Sequence, residues 1–103
     1  MPVVDDVDEA VRRIEIWFNS RCDGTWEQNS GIELTTTDNP GWWLTISGLV
    51  VRKEILAECI GDLLRDFNAQ VTTDQVALRV YAPSFRNCLC ATATVLGLVV
   101  NSE

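Results

Sequence analysis

The sequence predicts an α+β fold, a small antiparallel sheet with two or three packed helices in one domain. Three observations predict it. Two segments, 7–21 and 52–67, repeat apolar residues at the three-and-four spacing of a helix with one buried face. Two short runs on either side of Asp38-Asn39-Pro40-Gly41 alternate apolar and polar residues, the period of a strand. A further alternating run, Gln75 to Tyr81, is stopped by Pro83.

Residues 1–6 read as an acidic N-terminal tail, and 7–103 as the single domain. Asp6 followed by Glu9 has the spacing of a capping box. Val7, Ala10, Val11, Ile14, Trp17, Phe18 and Cys22 then mark one helical face, and Gly24 can supply a left-handed residue at its end. Ile32 to Thr37 and Trp42 to Gly48 form a hairpin. Its turn places Pro40 and Gly41 at the two central positions of type II, where Pro fixes φ and Gly accepts a positive one. Strand parity sends Trp42, Leu44 and Ile46 to the core, and Trp43, Thr45 and Ser47 to the polar face with Glu33, Thr35 and Thr37. On the second helix, Ile55, Leu56, Cys59, Ile60, Leu63, Leu64 and Phe67 form the apolar stripe. The tail from Cys88 to Val100 fits a strand by its Thr and Val content and a helix by Leu89, Ala93, Leu96 and Val100. Periodicity leaves both open.

A chain of 103 residues supports one core, and its 47% hydrophobic and 22% charged composition is that of a globular protein. The net charge of −7 is uneven: residues 1–51 hold nine acidic and three basic side chains, and residues 52–103 hold six and five. A field of that sign repels nucleic acid and anionic lipid and attracts a basic partner. It also favours solubility. The N-terminus is acidic where a secretory signal is basic, so the expected location is the cytoplasm and the expected state of Cys22, Cys59, Cys88 and Cys90 is free thiol. The apolar tail is too short to span a bilayer.

Histidine is absent, which removes the commonest general base and metal ligand. Cys88 and Cys90 lack the gap of a zinc knuckle. No phosphate loop, nucleophile elbow or calcium loop occurs. Glu27 and Asp38 alone offer a carboxylate pair of the glycosidase kind, and one pair without a patterned cleft is weak support for catalysis. The chain reads as a non-enzyme without cofactor or metal.

Two motifs carry more. Cys22-Asp23-Gly24-Thr25-Trp26-Glu27 follows an aromatic helix end, Trp17-Phe18, and Asp38-Asn39-Pro40-Gly41-Trp42 follows in order. This arrangement resembles family 53 of the bacterial immunity proteins from polymorphic toxin systems. The resemblance implies a cytoplasmic protein that binds a cognate toxin's catalytic domain and blocks its active surface, and it leaves the oligomeric state open. An alternative from another class is a small ligand-binding or sensing module with a tryptophan-lined pocket.

Each motif residue also has a structural reading. Cys22, Asp23 and Gly24 suit a helix stop, Trp26 a core lid, and Asp38 an Asx turn ahead of Pro40. Glu27 either caps backbone N–H groups or meets a partner's Arg. Trp43 is either covered by a helix or offered as an anchor. The expected partner surface comprises Trp43, Glu27, Asp38, Glu33 and Asp23; Cys22, Gly24, Trp26, Pro40, Gly41 and Trp42 hold the motifs in shape.

Overall fold

The computed structural model describes residues 3–38, 40–49 and 51–102. Helix α1 (Val7–Arg21) begins at Asp6, whose carboxylate accepts the Asp8 N–H at 3.1 Å. Glu9 turns to Arg12 and Arg13 at 2.9 and 2.8 Å. A one-turn helix, α2 (Trp26–Asn29), then leads into the hairpin of β1 (Gly31–Thr37) and β2 (Gly41–Ser47). Helix α3 (Lys53–Phe67), β3 (Gln70–Thr73), β4 (Ala77–Ala82) and α4 (Phe85–Ser102) complete the order. The fold is α+β: one sheet, β1-β2-β4-β3, antiparallel at every pairing, backed by the helices.

Cys88–Val100 belongs to helix α4, which resolves the open choice between strand and helix. Cys88, Cys90, Ala91, Thr92, Ala93, Thr94, Val95, Leu96 and Val99 are all buried, so the helix has no polar face to betray a period. It packs on the sheet through β2 and β4 and against the helices α1 and α3. The two buried hydroxyls are satisfied within the helix: Thr92 Oγ1 donates to Cys88 O at 2.8 Å and Thr94 Oγ1 to Cys90 O at 2.9 Å. Thr94 Oγ1 also accepts the Val4 N–H at 3.0 Å, so the acidic segment before α1 contributes Val4 to the core.

Three sequence expectations are corrected. The stripe of α3 is narrower than its apolar residues suggest, with Leu56, Cys59, Leu63 and Phe67 buried and Ile60 and Leu64 about half exposed. Asn68 closes that helix in the left-handed region at φ 52°, with its N–H on Leu64 O. The short strand β3 went unread because four residues are too few to show a period. The hairpin turn is also different. Thr37 pairs with Gly41, so Gly41 is the first residue of β2 and the loop is 38–40; its central Asn39 lies outside the described residues. Gly41 is not at positive φ, unlike Gly24 and Gly48. A Cβ there would lie 2.5 Å from the Tyr81 ring, so the ring would have to shift to admit one.

No helix among the described residues is long and apolar enough to cross a membrane. Cys59, Cys88 and Cys90 are buried free thiols, and desolvation pushes Cys88 up to about 11.

Two stability comparisons follow from this packing. Leu63→Ala removes a side chain with no exposed surface and should cost about 3 kcal/mol by denaturant unfolding, whereas Leu64→Ala should cost below about 1 kcal/mol. Gly41→Ala should destabilise by about 1 kcal/mol, and by clearly less in a Tyr81→Ala background. Equal losses in both backgrounds would place the constraint in the turn.

Candidate functional site

The first motif builds a loop held together by two carboxylates. Cys22, half-buried, leaves α1 in an extended conformation, and Gly24 follows at φ 92°, where a side chain would be strained. Asp23 Oδ1 accepts the N–H groups of Thr25 and Trp26, both at 2.9 Å. Glu27 reaches back to the N–H groups of Asp23 at 3.1 Å and Gly24 at 2.9 Å. Gln28 Nε2 donates to Gly24 O at 2.6 Å. These bonds hold both acids below their usual range: for Asp23 chiefly through Trp26 and Thr25 N–H, and for Glu27 through its own N–H and that of Gly24. The acids thereby satisfy donors that the chain reversal leaves without backbone partners.

Trp26 closes the loop over the core. It packs edge-on against Trp17 at 5.8 Å and Phe18 at 5.9 Å, and its indole N–H points at Gly48 O at 3.4 Å. Gly48, at φ 81°, leaves room for both Trp26 and Ser30. The Trp17 indole N–H is buried and has no hydrogen-bond acceptor among the described residues.

The second motif ends on the sheet. Leu44 and Ile46 face α4 and are buried, and Trp42 shares their side, stacked on Phe85 at 4.7 Å near the rim. Trp43 stands on the opposite face, away from α4. Its cross-strand neighbour is Tyr81, with ring centroids 5.2 Å apart, and the Tyr81 ring also covers Gly41. The row is completed by Thr35 and Gln70, both exposed. In the next row Glu33, Thr45, Arg79 and Thr72 stand side by side, and Arg79 is paired with Asp74. Sequence parity placed Trp43 on this face; Tyr81 and Arg79 were missed as its neighbours because register between distant strands leaves no mark in the sequence.

Glu27 and Asp38 are not brought together. They lie at opposite ends of β1, a strand that spans about 20 Å, whereas paired glycosidase carboxylates stand within about 10 Å. Among the described residues, no three His, Cys, Asp or Glu side chains gather as a metal site would need. The tryptophans divide into three settings: Trp17 with Trp26, Trp42 on Phe85, and Trp43 on Tyr81. They do not line one common pocket.

A polar sheet face with a central aromatic pair is the type of surface with which binding domains meet other proteins. Comparison with known families is in keeping with that class. The model of the family described as immunity protein 53 matches residues 11–86, and the chain belongs to this family. Its function is therefore immunity in general, and the family implies a protein partner. No curated protein and no solved structure gives a significant match.

The two loop carboxylates set a pH dependence. Their folded pKa values lie below the unfolded ones, so their stabilisation is present above about pH 4 and is lost as pH falls through the folded values. Melting temperature should drop on acidification below about pH 4, and the drop should be shallower in an Asp23→Asn, Glu27→Gln variant. An unchanged acid profile in that variant would assign the loss to other carboxylates, such as Glu9 or Asp74.

Proposed function

We propose that this immunity protein neutralises the catalytic domain of a cognate bacterial toxin by covering its active surface, acting as a non-catalytic inhibitor in the cytoplasm. The observation that carries the reading is the Trp43–Tyr81 pair on the helix-free face of the sheet. A half-buried Trp braced by a Tyr is a preformed anchor: it offers desolvatable area with little rotamer entropy left to lose. Glu33 on the same face and Asp38 at the hairpin tip place carboxylates beside it. Asp23 and Glu27 hold their loop and add to the acidic field from the far end of β1.

Charge supports a basic partner surface. The half of the chain that carries the hairpin holds nine of the 15 acidic residues and three of the eight basic ones. Toxins that attack nucleic acid present basic clefts, and an acidic inhibitor gains both encounter rate and specificity against them. The same field disfavours direct binding of nucleic acid or an anionic membrane.

Trp43→Ala should weaken toxin binding by about 2 kcal/mol or more while the melting temperature changes little. Replacing Glu33 and Asp38 with their amides should slow association and flatten its dependence on salt. The check pairs calorimetric melting of each variant with protection of cells that express the toxin. A large drop in melting for Trp43→Ala would make the residue part of the scaffold, and full protection by all these folded variants would move the contact elsewhere.

A further inference from the structure

Strand β1 is an unprotected edge. It lies first in the sheet order and runs seven residues in unbroken register with β2, from Gly31↔Ser47 to Thr37↔Gly41. It contains no proline, lysine or bulge, the devices by which sheets blunt an edge. The opposite edge, β3, has four residues and packs against α3. The outer N–H and C=O groups of β1 from Gly31 to Thr36 therefore form a template for one more strand.

An apolar groove runs beside that edge. Val11, Ile14 and Phe18 of α1 form one wall, Ile32 of β1 the other, and Leu89 of α4 contributes from between them; its volume is about 480 Å³. Val11 lies in the apolar stripe of α1 and Leu34 on the core-side face of β1, yet they are 46% and 39% exposed. α1 packs on α4, and these side chains are left partly open to solvent.

The charge beside the groove selects its occupant. Glu15 lines it, Glu33 projects from the other face of β1, and Asp38 follows the strand's end; none of the three has an ion pair among the described residues. Arg12 and Arg13 are held by Glu9. A second copy would bring another −7 charge against the same carboxylates. We infer that β1 and the α1–β1 groove dock an extended segment of the protein partner as a fifth strand, with apolar side chains over Ile32 and Leu34 alternating with Lys or Arg beside Glu33. Main-chain bonds then supply affinity, and the groove and Glu33 set which sequence fits. The inference rests on the proposed role as a toxin-binding protein and names a contact next to the Trp43 face.

The test titrates the isotope-labelled full chain with a capped peptide of alternating valine and lysine, about eight residues long so that it spans β1. Amide shifts should concentrate at 31–37 with smaller ones at Val11 and Ile14, and cross-strand contacts should join the peptide backbone to β1. Leu34→Lys and Val11→Lys, both at exposed positions, should each weaken binding by at least about tenfold with unchanged melting. A valine–glutamate peptide should bind at least about tenfold more weakly. Shifts centred on Trp43 and Tyr81, equal binding of the glutamate peptide, or no shift at about 1 mM peptide would overturn the inference. In cells expressing the toxin, the Val11→Lys, Leu34→Lys double variant should lose protection. Full protection by that folded variant would sink strand docking and leave the immunity role standing. Peptide pairing with β1 in a parent that does not protect would sink the toxin-binding role instead.

Discussion

Everything in this fold depends on sealing one helix on all sides. Helix α4 packs on β2 and β4 of the sheet and against both α1 and α3, and from Cys88 to Leu96 nearly every side chain is buried. A helix in that position cannot carry a polar stripe, and it cannot be bulky either, because two layers must approach it at once. The sequence answers with Cys, Ala, Thr and Val. The hydroxyls of Thr92 and Thr94 would be costly in such a place, and each is returned to a carbonyl one turn back along its own helix. Thr94 then has an acceptor position left for Val4, which fastens the chain before α1.

Placing all the long helices on one side has a consequence for the other. The face with Trp43, Tyr81 and Arg79 has no helical layer, so its aromatics shield one another. Gly41 belongs to this arrangement: its missing side chain leaves room for the end of the Tyr81 ring. The same asymmetry explains the carboxylates. Asp23 and Glu27 sit where the chain must reverse between α1 and the hairpin, and they supply acceptors the backbone lacks there. Among the described residues, Glu33 and Asp38 have no such task.

Legibility in the sequence followed burial. Helix α1 and the strands of the hairpin, though not its turn, read correctly because each has one wet face and one dry face, so period and parity show. Helix α4 did not, since uniform burial erases the period that distinguishes helix from strand. Ile60 and Leu64 misled for the opposite reason: they are apolar residues at the edge of a stripe, and only the position of α4 decides which edge is covered. Gly41 looked like a turn residue because Pro-Gly is a turn signal; the cause of its small size is 40 residues away at Tyr81. For the surface, parity located Trp43, and the two motifs located the immunity family. Pairing between β2 and β4 brings in Tyr81 and Arg79, and no local pattern encodes that pairing.

The placement of α4 also governs how the molecule is made. The element at the centre comes after all the others in chain order, so β2, β4 and α1 have their apolar sides open to water until it emerges from the ribosome. Its contacts with α1 join opposite ends of the described chain and those with β2 are also long-range, so the loop-closure entropy to be met is large. A nascent chain lacking this helix holds all four strands with the core side of the sheet uncovered, the kind of species that aggregates or calls for a chaperone. Native packing of β2, β4 and α1 therefore waits on α4, the element that supplies the centre of their shared core.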